Sequence, residues 1–309
     1  MIISDYLRSR TSPKTLTFVL KLFLTLPGLF CLIFFLAIPC LSLCWLSFAS
    51  RGQYGDIAWT FTFENYKRLV GFNLFGWNPD FLFILLRSLR EAFVTTFVCA
   101  LLSYPLSFYI ASRKTAMARF AWLILISIPF CTNVVIRTYG WQLVLGPELP
   151  FAKLATYLGL IPPKTPLYPG SLAVYLGMVS TFLPFMALPL YSAVERLNWS
   201  LPLAAKDLYA SRVRIFFKTI FPQTAQGLYA GIVITFVPAM AMFVVTDILG
   251  GAKYMLVGNI IQHQFSQARD WPFGATLSLA LMVLTLLSVA LFQSSRLSRK
   301  GGGNIYAAL

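Results

Sequence analysis

The chain has 309 residues, of which 58% are hydrophobic and only 11% charged, and its mean hydropathy is +0.73. A soluble domain carries about 25% charged residues, so this composition is that of a chain built for lipid. The net charge of +15 fits basic residues flanking membrane spans, and no recognition motif accompanies it that would make nucleic acid the partner.

Four basic residues, Arg8, Arg10, Lys14 and Lys21, precede an apolar run over Leu22–Ser47. A cleavable signal has an apolar region of only ~7–15 residues, and this run is far longer. The LAIP before Cys40 puts proline where lipoprotein cleavage needs a small residue. The run is therefore expected to stay as an anchor.

A bilayer core takes ~20 mainly apolar residues per helix. On that measure five more spans follow, at Leu82–Ile110, Phe120–Ile136, Leu172–Ala193, Gly227–Ile248 and Ala275–Phe292. The chain then divides into an N-terminal segment 1–21, a six-helix transmembrane domain 22–296 and a tail 297–309. The fold class is all-α integral membrane protein.

Orientation follows from the basic residues. With both termini inside, the inner segments hold fifteen Lys and Arg, against eight outside or ten if Arg87 and Arg90 are added. The outer set includes Arg51, Arg137, Lys153 and Lys164. The positive-inside rule then places both termini and the 195–222 loop in the cytoplasm, where the Asn198-Trp-Ser sequon means nothing.

Chemistry of its own is not expected from this chain. Its five cysteines lie in apolar stretches, no CxxC pair occurs and His263 is the sole histidine, so metal-ligand spacing is missing. No phosphate loop and no nucleophile with a nearby base are present. The spans hold Pro27, Pro39, Pro105, Pro129, Pro184, Pro189 and Pro238. These suit kinked helices around a pathway, although proline is also simply commoner in membrane helices.

The fourth and fifth spans are joined by LPLAAKDLYASRVRIFFKTIFP, residues 201–222, which is too structured for a tether. Ser200 is expected to cap a first helix with Pro202 in its first turn. Leu201, Ala204, Ala205 and Leu208 then share a face. Ser211 is expected to cap a second helix whose Val213, Phe216, Phe217 and Ile220 repeat at helical spacing, ending at Pro222. Both helices could lie on the membrane surface, or the first could dock its small Ala204-Ala205 face into a soluble partner.

This loop resembles the cytoplasmic EAA motif of ABC importer permeases. Ala204, Ala205 and Pro222 stand at matching positions, and Asp207, Leu208, Ala210 and Ser211 fit the common form. Leu203 replaces the motif's Glu, Tyr209 its Gly, Thr219 its Ile and Phe221 its Leu. Leu203 cannot complete a capping box, and a positive φ costs Tyr209 more than Gly, so a reshaped bend is expected.

The stretches YGDIAWTFTFENYKRL, NVVIRTYG, LPFMALPLYSAVERL, VPAMAMFVVTDILGGAKYMLVGN and RDWPFGA are similar to the spermidine/putrescine permease family, in the same order. The resemblance implies a type I importer permease (MetI-like) fold in a bacterial inner membrane. It implies no enzymatic role here, with ATP and Mg on a partner ATP-binding subunit dimer. It also implies a second permease and a substrate-binding protein. Leu203, Ala204, Ala205, Asp207, Tyr209, Ser211 and Arg212 would be the residues coupling the chain to its ATPase.

A charge within lipid is costly and marks a functional candidate. Arg87, Arg90, Glu91, Arg137, Asp247 and Asp270 qualify. Glu91 reads first as half of a helix-surface ion pair with Arg87 or Arg90, and Asp247 as a residue of the pathway or an outer gate. Tyr139, Trp141, Phe243 and Tyr254 offer aromatic faces to an organic cation or form an ordinary interfacial belt. The pathway set is Asp247, Glu91, Tyr139, Trp141 and Phe243. Polyamine is the first choice of cargo, ahead of another small organic cation, an amino-acid derivative or an organophosphonate. An ion-coupled transporter or channel would favour inverted repeats or several membrane acids, neither of which is found, and a non-transporting scaffold is the third class.

Overall fold

The computed structural model describes residues 25–52, 55–73, 76–159, 162, 165–251 and 254–301, and side chains for all of these except 73 and 292–301. The basic cluster Arg8–Lys21, Lys164, Lys253 and the tail beyond residue 301 lie outside the described residues. Helix dominates. Among the described residues, five helices are long and apolar enough to cross a membrane, or six where a pair bent by 94° is counted as one span.

The first span, α1 (Thr25–Ser47), packs on the last, α12 (Trp271–Gly301). Between α1 and the second span lie two short hairpins, β1 (Ser50–Arg51) with β2 (Ile57–Ala58) and β3 (Phe72–Asn73) with β4 (Gly76–Trp77). They flank α2 (Glu64–Val70). Asn65 fixes α2 to the end of α1 by donating to the carbonyls of Ser47 at 2.9 Å and Ala49 at 2.8 Å.

Three helices make the centre: α3 (Asp80–Ala111), α7 (Ser171–Glu195) and α9 (Arg212–Ala241). Met178, Phe182, Met186 and Leu190 of α7 meet Ala92 and Cys99 of α3 and Phe236, Ala239 and Met240 of α9 in one core. In lipid, small residues and interhelical hydrogen bonds hold helices together where water cannot drive them. Gly177 allows α10 (Val244–Leu249) to sit directly on α7, since a Cβ there would stand 2.7 Å from Val245 Cγ1. The Tyr104 and Thr224 hydroxyls join α3 to α9 at 3.0 Å.

Two expected spans are corrected. Phe120–Ile136 is not one helix: α4 (Ala116–Cys131) and α5 (Val134–Val144) meet at 94°. Pro129 withdraws a backbone donor near the end of α4, and Asn133 Oδ1 accepts from Val135 N at 2.8 Å to start a new helix. A short α6 (Pro150–Tyr157) follows. Gly227–Ile248 is likewise two elements. The helix stops at Ala241, Met242 is extended with ψ of 118°, and α10 begins two residues later.

The same span also starts earlier than expected. Pro222 does not end the loop helix, which runs without a break from Arg212 into the membrane. A π-helical turn over Phe216–Ile220 precedes the proline, as another over Ile33–Ala37 precedes Pro39 in α1. The wider turn accommodates the missing donor. Gln223 Nε2 gives Thr219 O a side-chain bond at 2.9 Å and Thr224 Oγ1 gives one to Ile220 O at 3.1 Å.

At the opposite end from this loop, α11 (Val257–Ser266) leads into α12. The buried Asp270 accepts from Arg68 Nη1 at 2.7 Å and from Phe273 N at 3.2 Å, so it both pairs with α2 and caps α12. Asp270 is thus a strut of the fold.

Candidate functional site: the α7–α9 loop and the charged groups of the bundle

The loop forms two helices, α8 (Ser200–Asp207) and the first turn of α9. Ser200 is not the cap. Asn198 Oδ1 takes that place, accepting from Ser200 N at 3.1 Å and from Ser200 Oγ at 2.7 Å. Ser211 does cap α9, its Oγ accepting from Arg214 N at 3.4 Å.

Tyr209 keeps the bend that its size was expected to reshape. Its φ is +56°, and the turn is a complete Schellman closure. Tyr209 N donates to Lys206 O at 2.9 Å and Ala210 N to Ala205 O at 3.1 Å. Two satisfied carbonyls offset the left-handed conformation, which costs a non-glycine residue about 1–2 kcal/mol. The side chain meets no obstacle because it is 98% exposed.

Of the face that α8 was expected to present outward, Leu201, Ala204 and Leu208 are exposed and only Ala205 departs from it. Pro202 is buried and Ala205 half-buried, so this edge rests on the chain itself. Leu203, Ala204, Asp207 and Leu208 are open, Leu208 being 81% exposed. Exposed leucines beside an open Ala204 are what a docking face needs. Asn198 N donates to Gln223 Oε1 at 3.1 Å, and Trp199 meets the Phe108 ring edge-on. Both contacts fix the start of the loop to the bundle.

The pathway candidates fall into two groups. Asp247 lies on α10, exposed, and accepts a hydrogen bond from Asn259 Nδ2 of α11. Asn259 is a hub. It also donates to Phe243 O at 3.1 Å, while its Oδ1 accepts from Thr246 Oγ1 at 2.7 Å and Leu256 N at 3.0 Å. Helix α10 packs on α5, which carries Tyr139 and Trp141. Trp141 Nε1 donates to Ser180 Oγ at 2.8 Å, whereas Tyr139 is exposed. The helix that carries Asp247 thus packs on the one that carries Tyr139 and Trp141, with Phe243 one turn before Asp247.

Glu91 stands apart. It is wholly buried on α3, with Oε1 held by Arg90 Nη2 at 2.6 Å. This is the ion-pair reading of the residue, and an open pathway position is not what the structure shows. Tyr175 and Tyr254 lie within its field. Burial, and then this carboxylate, push the Tyr254 phenol up. The Arg87 guanidinium lies 4.1 Å over the Tyr254 ring. Ser88 Oγ accepts from Val257 N at 2.9 Å, joining α3 to α11.

The hub Asn259 and the loop-binding Gln223 escaped the reading of the sequence, which weighed charged residues and passed over amides. Amides within membrane helices carry the same signal more weakly. Among the described residues, no cluster of His, Cys, Asp and Glu is placed to hold a metal ion.

No family model matches the sequence. The chain is 37% identical over 272 residues to the spermidine/putrescine transport system permease protein PotB of Escherichia coli, covering 87% of this chain and 95% of that one. With the protein of the same name from Haemophilus influenzae it shares 38% over 261 residues, covering 84% and 88%. The Escherichia coli inner membrane ABC transporter permease protein YdcU is 27% identical over 267 residues, covering 80% of this chain and 85% of that one. Among solved structures, a bacterial ABC transporter that imports the acidic polysaccharide alginate superposes with a TM-score of 0.65 at 15% identity, over 93% of this chain and 98% of that one. At that identity the likeness is one of fold.

Proposed function

The chain belongs to the PotB family of spermidine/putrescine transport permeases, and on that premise we propose that it is the membrane-spanning subunit of an ABC importer for polyamines. The observation that carries this reading is identity of 37% over nearly the whole of a relative so named. The fold does not choose the cargo, since a similar bundle serves the alginate importer.

In this reading the α7–α9 loop is cytoplasmic and α8 docks on an ATP-binding subunit dimer that holds ATP and Mg. Leu203, Ala204, Asp207 and Tyr209 are the exposed contacts, Ser211 and Arg212 shape the second turn, and Ala205 supports the helix from behind. A second permease completes the pathway and a binding protein delivers the cargo from outside. Asp247 is the carboxylate that meets a passing ammonium, with Phe243, Tyr139 and Trp141 as aromatic neighbours. Glu91, buried on α3 and paired with Arg90, is left out of the pathway.

Purification of the chain with its genomic neighbours tests the reading. Spermidine or putrescine, delivered by the binding protein, should stimulate ATP hydrolysis. Stimulation by an amino-acid derivative or organophosphonate alone would overturn the cargo, and failure of any ATPase to co-purify would overturn the importer.

A further inference from the structure

The central helices bound two grooves, each of about 520 Å³, that differ in chemistry. The groove between α3 and α9 is walled by Phe93, Phe97, Phe216, Phe217 and Phe221, and the Tyr104 and Thr96 hydroxyls alone relieve its apolar lining among the described residues. The groove between α7 and α9 carries Ser192, Arg196, Gln223 and Gln226. Its floor is close-packed. A Cβ on Gly227 would stand 2.4 Å from Ala193 Cβ and 2.5 Å from Pro189 O.

Gln226 lies fifteen residues before the end of α9 at Ala241, about 22 Å along a helix rising 1.5 Å per residue. Ser192 lies three residues before the end of α7 at Glu195, so the groove runs inward from the loop end of the bundle, and both Gln226 and Ser192 are exposed in it. Exposed amides and hydroxyls facing hydrocarbon are costly. The polar groove therefore faces water or protein.

We infer that the α7/α9 groove is the inner half of the cargo pathway and that Gln223 and Gln226 are its contacts for the N–H donors of an organic ammonium. This rests on the importer reading above. Amide and hydroxyl oxygens can accept from an ammonium, while Arg196 at the loop end adds positive charge and, among the described residues, no carboxylate lines the groove. Such a wall lets a polycation pass without retaining it.

The position of the groove ties it to the coupling loop. Its two walls are the helices that enter and leave that loop. Gln223 accepts from Asn198 N at 3.1 Å through Oε1 and donates to Thr219 O at 2.9 Å through Nε2. A displacement of α8 is thus passed to a groove residue through one side chain, so Gln223 is a positioning residue as well as a contact.

The test uses the assembled transporter in inside-out vesicles, with the variants Gln226→Cys and Phe97→Cys treated with a membrane-impermeant thiol reagent against the parent's own cysteine background. The Gln226→Cys complex should label, ATP added to vesicles loaded with binding protein and spermidine should slow that labelling at least threefold, and the labelled complex should have lost uptake when reconstituted in proteoliposomes. The Phe97→Cys complex should not label above the parent. A Gln226→Cys complex that stays inert, or that labels with no effect of spermidine or on uptake, overturns the assignment. So does reaction of this variant with a lipophilic maleimide but not with the impermeant reagent, which would place the groove against lipid. As a second arm, Gln226→Glu adds the missing carboxylate and should slow uptake severalfold at equal complex, and unchanged uptake counts against the groove. Parent complex that takes up spermidine while the Gln226→Cys thiol stays inert defeats only this inference, whereas parent complex that takes up no polyamine defeats the reading beneath it.

Discussion

The Asn259 side chain, buried at the start of α11, donates to the exposed carboxylate of Asp247 on α10. The acid is thereby held at the break after α9 with one oxygen fixed and the other open. Asp247→Asn keeps an acceptor for Asn259 and removes only the charge. Uptake of spermidine should fall about tenfold, the equivalent of about 1.4 kcal/mol. Binding-protein-stimulated ATP hydrolysis should persist. Proteoliposome uptake at equal amounts of complex checks this, and unchanged uptake would make Asp247 a solvated edge residue.

The Arg68–Asp270 pair allows its two roles to be separated. Asp270→Asn keeps the acceptor for Phe273 N and loses the ion pair, while Asp270→Ala loses both. One partner of a buried pair costs about 3–5 kcal/mol when removed. Here the guanidinium is partly exposed, so about 2 kcal/mol is expected for Asn, from the desolvated charge-assisted bond. The Ala variant should lose about 1 kcal/mol more for the cap. Thermal unfolding of the purified complex should rank parent, Asn and Ala in that order, and equal losses would remove the capping role.

The bundle was legible because lipid leaves a chain so few options: runs of apolar residues become helices, and their number and rough limits follow. What the runs concealed was continuity. Phe120–Ile136 and Gly227–Ile248 stay apolar when averaged over a span, yet Asn133 and Met242 break them, because a cap or a single extended residue decides a helix end and an average over a span passes over both. The α7–α9 loop was legible as two helices, and so was most of its open face, Leu201, Ala204 and Leu208, but the half-burial of Ala205 was not. That half-burial depends on which side α8 lays on the bundle, a tertiary matter that Pro202 and Asn198 decide. Asp247 and Glu91 were both candidates as acids within spans, and they differ in burial, Glu91 lying fully buried beside Arg90 with Tyr175 and Tyr254 arriving from distant segments.

Tyr209 provides a test of backbone against side chain. Tyr209→Gly should keep the bend and hold stimulated ATP hydrolysis within about twofold, since glycine adopts a positive φ without strain. Tyr209→Val should lower it about tenfold, because a β-branched residue at a positive φ is a far less tolerated outlier. Equal losses in both would show that the exposed ring, not the bend, is what the partner needs.

Orientation can be tested on intact cells with an impermeant thiol reagent. Arg51 and Lys206 are exposed and lie at opposite ends of the bundle. Arg51→Cys should label and Lys206→Cys should not, with permeabilisation restoring the second. The charge asymmetry that motivates this is large, and the reverse pattern would invert the whole assignment of faces.

The last prediction separates the two alanines of the loop. Ala204 is open and Ala205 half-buried against the chain's own bundle, so a charge at each should fail differently. Ala204→Asp leaves the permease intact and places an unpaired carboxylate in the docked interface, where such a charge costs about 3–5 kcal/mol. Complex recovered through a tag on the ATPase should fall more than tenfold while the permease still accumulates in the membrane. Ala205→Asp instead disturbs α8 itself, so accumulation or protease resistance of the loop should suffer first. Leu208→Ala belongs with Ala204→Asp, since its side chain touches solvent over most of its surface and contributes to docking alone. If Ala204→Asp and Leu208→Ala assemble as the parent does, the open face of α8 is not what holds the ATPase, and the coupling role would have to move to the exposed Arg212 and Val213 of the following turn.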